Sequence, residues 1–338
     1  MDKIKANHQS MSIIAREKKS LNARLKRRIG VFDEGVEGPL IIAIACLHGN
    51  EFLPYRAIDY IVKMLEVEHV TNPGFVYKGR FVGLSGNLAA TKAHQRYIDK
   101  DLNRIWSEAL IASLADPSYM PVSHEEKEMQ AIWRNLLQEV SRYKGEQVII
   151  LDFHTTSSPG GIFCLPSDDP HSLELAFDLF IPVVEGLKDS VQDSFLSFLT
   201  EAHLGKPTIA MSVEVGQHED PNSIYVAIAT IINCMRSVNA VHQEDVESRH
   251  DDILRIHSKG LPRLSRLHHI HEIKEGDDFV MQPGYSNFQF VKTGELLAHD
   301  KDGAIRSSLD GILLMPLYQP KGAEGFFIIT QDPSFGVF

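Results

Sequence analysis

The chain has 338 residues, of which 43% are hydrophobic, 8% aromatic and 23% charged, an ordinary globular composition with length for one large domain and a smaller one. A net charge of −11 argues against general nucleic-acid binding, which needs a basic surface to neutralise phosphates. Cys46, Cys164 and Cys234 are odd in number, far apart and set among apolar residues, which excludes a disulfide framework or a CxxC site and indicates buried thiols in a reducing compartment.

Residues 1–30 form a basic extension, with nine lysines and arginines against Asp2 and Glu17, and read as a solvated lead-in helix packing on an acidic body. The extension lacks the apolar core and cleavage site of a secretory signal, and no run of about 18 apolar residues is long enough to span a membrane. A cytoplasmic protein with neither membrane nor nucleic-acid partners is expected. From residue 31 short apolar runs alternate with helical stretches, the signature of an α/β layer around a buried sheet. The strands are expected in "PLIIAIACL" (39–47), "GRFVGLSGN" (79–87), "EQVIILDF" (146–153) and "KPTIAMSVEV" (206–215), with helices near 52–67, 123–143, 172–200 and 221–247. Beyond residue 255 short segments broken by Gly, Pro and Asp predict an antiparallel β module too short to extend the first sheet by crossovers. The expected division is 1–30, 31–255 and 256–338.

Three of the apolar runs end in reactive groups: His48 and Glu51, then His154, then Glu214. Ligands gather at the carboxyl ends of strands in open α/β sheets, so these distant residues are candidates for one site. His48 and Glu51, three apart, share a face if a helix follows the strand at once. With His154 they make a His2Glu set, the three-ligand arrangement that leaves a catalytic zinc one open position; other transition metals fit the same donors. Taken singly, His48 with Glu51 is what a strand end turning polar gives, and a lone histidine in such a place is more often a hydrogen-bonded structural group than a ligand; the shared position at strand ends favours a site. Glu214 sits in an apolar strand, where burial raises a carboxyl toward a general base's range; a buried carboxylate paired with a cation reads as well. His218, four residues on, is either an extra ligand or, in the preferred reading, a surface residue at the strand-to-helix turn. The histidines of "HHIHE" (268–272) alternate across a strand and make no second metal site. "HQRYIDKDLNRIW" (94–106) adds Arg96, Lys100, Arg104, Tyr97 and Asn103, either a site for a carboxylate and an oxyanion or a surface loop of local salt bridges.

In this order, "HGNE", "RYIDKDLNR", "DFHTT" and "VEVG" resemble the succinylglutamate desuccinylase and aspartoacylase family, relatives of the zinc carboxypeptidases, over roughly residues 38–240. The resemblance implies a carboxypeptidase-like mixed sheet flanked by helices and a smaller C-terminal all-β domain. It implies one Zn2+ per chain held by His48, Glu51 and His154, with Glu214 as the catalytic carboxylate and Arg96 polarising the scissile carbonyl. Asn103 and Arg104 then grip a substrate carboxylate, with Tyr97 lining the pocket and Tyr318 or Tyr285 as candidates from the C-terminal module. The implied reaction is hydrolysis of a small anionic N-acyl amino acid. A carboxypeptidase acting on short peptides and a non-catalytic metal-binding protein are the alternatives, and a homo-oligomer is left open.

Overall fold

The computed structural model describes residue 18 and residues 21–187, 193–246 and 249–338. Its strands are β1 (Arg28–Asp33), β2 (Leu40–Ala45), β3 (Arg80–Ser85), β4 (Val148–Thr156), β5 (Phe163–Pro166), β6 (Val183–Glu185), β7 (Thr208–Gln217), β8 (Leu264–Glu272), β9 (Val280–Met281), β10 (Gln289–Val291), β11 (Leu296–Asp300), β12 (Gly303–Arg306), β13 (Gly311–Leu314) and β14 (Glu324–Gln331). Among the described residues one mixed sheet runs β1-β3-β2-β4-β7-β5-β6-β8-β14-β13-β10, and β12-β11-β9 form a small separate sheet. The four strands at its heart, β3, β2, β4 and β7, are parallel, as crossover helices require.

The two faces of the sheet follow the period of two. Ile41, Ala43 and Ala45 pack with Ile58 and Ile61 of the helix Leu53–Thr71, Val226 and Ala229 of the helix Asn222–Ser237, and Leu254 of the helix Arg249–Ser258. Leu40, Ile42 and Ile44 point the other way, onto Met129, Ile132 and Leu136 of the helix His124–Arg142. Each fully buried Leu or Ile contributes about 1.5–3 kcal/mol, so this double layer holds the central strands rigid. On the second face the C-terminal halves of β4 and β7 break the pattern. Val148 and Ile150 are followed by Asp152 and His154, and Ala210 by Ser212 and Glu214, while the first face stays apolar through Phe153 and Val213.

The four predicted strands and three of the predicted helices are present, but the helix expected over 172–200 is not. A helix starts behind its Asp169 cap and Pro170 and stops at Asp178; Phe180 adopts φ 55, Pro182 follows, and the β-branched pair Val183–Val184 enters the sheet as β6. The C-terminal strands also extend the first sheet, against expectation. They do so because the start of β8 pairs in parallel with β6 through Val183↔Leu264, the chain between them, with the helices Asn222–Ser237 and Arg249–Ser258, supplying the crossover, and β14 then pairs along β8. The line drawn near residue 256 falls inside the helix Arg249–Ser258. The basic lead-in helix expected over residues 1–30 falls mostly outside the described residues; among those described, Lys18, Arg27 and Arg28 pair with Glu219, Glu128 and Glu139.

Candidate active site

His48 and Glu51 do not lie on a helix. They belong to a turn closed by the Glu51 N–H donating to the His48 carbonyl at 3.2 Å, and the helix begins two residues later at Leu53. Gly49 makes this turn fit. Its N–H donates to the Arg96 carbonyl at 3.1 Å, and a Cβ there would lie 2.1 Å from the Ala90 carbonyl carbon, so no other residue lets the two backbones approach. Cys46, at φ 60, turns the chain out of β2 into the loop.

Across the sheet, His154 stands near the end of β4, opposite Glu214 on β7. The Nδ1 atoms of both histidines face the Glu51 carboxylate, His48 at 2.8 Å from Oε1 and His154 at 3.0 Å from Oε2. Each Nε2 is held from behind by another carboxylate, His48 by Asp101 at 3.1 Å and His154 by Asp152 at 2.9 Å. The Thr155 N–H also donates to Glu51 Oε2, at 3.1 Å. One ligand atom from each of His48, Glu51 and His154 lies within 4.8 Å of the others, and all three residues are buried. Two imidazoles whose outer nitrogens are bound to carboxylates, with their inner nitrogens aimed at a shared point, fit a divalent transition metal. Burial pushes the Glu51 carboxyl up, but the two imidazoles outweigh it and hold the group well below the usual carboxylate range.

Asp101 joins this centre to the basic loop. It accepts from Arg96 Nε at 2.8 Å and from the Asn103 N–H at 2.9 Å, capping the short turn Leu102–Arg104. Burial pulls the Arg96 guanidinium down, but Asp101 and Glu51 more than restore it, and its Nη1 lies 3.6 Å from Glu51 Oε1. Glu125, buried at the start of its helix, accepts from the N–H groups of Ile98, Asp99 and Lys100 and so fixes the loop carrying Arg96 and Asp101.

Glu214 completes the centre. Its Oε2 is buried without a hydrogen-bond partner among the described residues, and burial pushes its carboxyl up to about 8. The pairing with a cation weighed for it from sequence is absent among the described residues. His48, Glu51, Arg96, Asn103, Arg104, His154 and Glu214 all line one cleft. Tyr97 does not line it: Lys321 lies 4.3 Å from the centre of its ring and donates to its carbonyl. Tyr318 and Tyr285 also stay outside, because the Tyr318 hydroxyl donates to the Gln282 carbonyl and accepts from the Tyr285 N–H, while the Tyr285 hydroxyl donates to Glu295. The C-terminal region instead contributes Met315, Leu317, Gln319, Gly322, Glu324 and Phe327 to the wall. His218 bonds Thr155 and Gln319 and is not in the ligand group.

Sequence reasoning missed Asp152, Asp101's role, Glu125 and Glu324. For Asp152 a signal existed, since it stands two residues before His154 and therefore on the same face of β4.

A buried sheet that brings two imidazoles and a carboxylate together at its carboxyl edge, with a second buried carboxyl alongside, defines an α/β protein with a candidate metal centre. The chain belongs to the succinylglutamate desuccinylase/aspartoacylase family, whose catalytic domain residues 37–238 match. A probable aspartoacylase from Acaryochloris marina is 27% identical over 184 residues, 52% of this chain and 54% of that protein, so the match spans about half the curated relative's length. In fold the chain is similar to a succinylglutamate desuccinylase/aspartoacylase from Rhodobacter sphaeroides, with a TM-score of 0.61 at 15% identity over 88% of this chain and 86% of the other. It is also similar to the ectoine utilization protein EutE from Ruegeria pomeroyi, with a TM-score of 0.56 at 16% identity over 91% and 88%. No helix among the described residues is long and apolar enough to cross a membrane.

Proposed function

We propose that this protein is a zinc-dependent hydrolase that cleaves the amide of a small N-acyl amino acid, releasing a carboxylate and a free amine. The observation that supports it best is the convergence of His48 Nδ1 and His154 Nδ1 on Glu51, with Glu214 lining the same cleft. His48, Glu51 and His154 would hold one Zn2+ per chain, which when bound supplies Lewis-acid polarisation of a carbonyl and acidification of water. Glu214, buried and uncommitted, takes a proton at its carboxylate from the attacking water and returns it to the departing amine. Arg96, locked by Asp101, directs its charge to the oxygen that becomes negative. Asn103, which lines the same cleft, supplies amide donors for a polar group of the substrate; Arg104 lines it too but is paired with Glu324.

The C-terminal wall of the cleft favours a small substrate over a peptide chain, which separates this reading from a carboxypeptidase. In this reading residues 31–255 carry the chemistry and 256–338 restrict access. Three unpaired buried cysteines suit a cytoplasmic setting.

Release of free amine from acetyl-, succinyl- and other acyl-amino acids, measured beside short peptides with and without a chelator, tests the proposal. Chelator-sensitive release from N-acyl amino acids is expected. Glu214→Gln should keep the metal and lose about 100-fold or more in turnover. Activity on peptides alone, or turnover surviving in that variant, contradicts it.

A further inference from the structure

The guanidinium of Arg104, expected to grip a substrate carboxylate, already holds one from its own chain. Its Nε donates to Glu324 Oε1 at 3.1 Å and its Nη2 to Oε2 at 3.0 Å, a two-pronged pair, while Nη1 donates to the Asn103 carbonyl at 2.8 Å. Glu324 is 220 residues away in sequence, at the first position of β14. The backbone there is tied down on both sides: the Ile273 N–H donates to the Ala323 carbonyl at 2.7 Å and the Leu317 N–H to the Gly325 carbonyl at 2.9 Å. The carboxylate is therefore presented by a fixed strand end and not by a loop free to swing away.

Arg104 and Glu324 both line the cleft, and so do Leu165, Leu187, Leu196 and Phe327. The other arginine of the cleft, Arg96, is bound to Asp101. A carboxylate approaching Arg104 must either displace Glu324 from a charge-assisted fork or lie beside it, like charge against like. An uncharged group meets a neutral pair and apolar walls.

We propose that Glu324 is a specificity-determining residue: by filling the fork of Arg104 it excludes a carboxylate from that end of the cleft, so the substrate presents an uncharged group there, an alkanoyl acyl chain or a neutral amino-acid side chain. This rests on the proposed function, because it describes which N-acyl amino acids the same cleft takes.

Two near-isosteric substrate pairs, N-butyryl against N-succinyl and N-acetylglutamine against N-acetylglutamate, test it through kcat/KM in the wild-type protein and in Glu324→Gln, with Glu324→Ala as a second variant. The wild type should favour the uncharged member of at least one pair by about tenfold, and both variants should erase that preference. Calorimetric titration of the zinc-loaded proteins with succinate and with acetate reads the same fork without turnover; succinate should bind about tenfold tighter to the variants, and acetate should be unchanged. A wild type that favours the charged members, or a preference and a succinate affinity unmoved by either variant, overturns the inference while leaving the hydrolase reading intact. If no substrate is hydrolysed but succinate binding tightens as stated, the hydrolase reading fails and the fork assignment stands.

Discussion

At the scale of single residues, Glu214 carries the sharpest consequence. Its carboxyl sits at about 8 because burial penalises the charge, against an ordinary value of 4.5 in the unfolded chain. A folded-state value above the unfolded one stabilises fully below pH 4.5 and is lost as pH rises through 8. In metal-free protein Glu214→Gln should therefore change little near pH 4.5 and become progressively stabilising toward pH 8, by up to roughly 5 kcal/mol at 1.36 kcal/mol per unit. Denaturation of chelated wild type and variant across this range measures it; a difference independent of pH would show that Glu214 is already charged when buried. His48, Glu51, His154 and Glu214 were legible because three apolar runs end alike in titratable groups and because the motifs around them occur in a recognisable order. Asp101 was not. In sequence it is one of several alternating charges in "IDKDLNR", and only its contacts with His48 and Arg96 separate it from a surface acid.

At the scale of elements, the loops position the chemistry more than the helices do. The expected helical face for His48 and Glu51 is in fact a turn, and the turn depends on Gly49 passing the Ala90–Thr91 backbone. Gly49→Ala should cost about 3 kcal/mol, at the upper end for overpacking because the obstructing atoms are backbone, and should lower metal content as His48 and Glu51 shift. Gly74→Ala, where a Cβ meets nothing closer than Asn72 Oδ1 at 3.6 Å, is the matched control and should stay within about 0.5 kcal/mol. Chemical denaturation with parallel metal analysis checks both; equal effects in the two variants would remove the close approach as the reason for glycine. The central strands were legible from unbroken runs such as "LIIAIA". β5 and β6 were not, since "FCLP" and "VVE" are too short to show a period and take their place from neighbouring strands.

At the scale of the whole molecule, one sheet spans both regions of the chain, and the cleft opens where they meet. The N-terminal region supplies the ligands and the basic loop; residues 315–327 supply the facing wall, including Glu324. This joining could not be read from sequence, because the β6–β8 pairing depends on main-chain hydrogen bonds between segments about eighty residues apart and leaves no mark on composition. For the same reason Tyr318 and Tyr285 were the candidates from the C-terminal region, while Gln319 and Glu324, which line the cleft, were not. The proposed function as a whole depends on His48, Glu51 and His154 holding one divalent ion. Elemental analysis of the purified protein beside His154→Ala, both shown folded by circular dichroism, tests it most directly. One equivalent of zinc in the wild type and its near-complete loss in the variant is the predicted result; folded wild-type protein that takes up no stoichiometric metal, or a variant that keeps it, would contradict the claim.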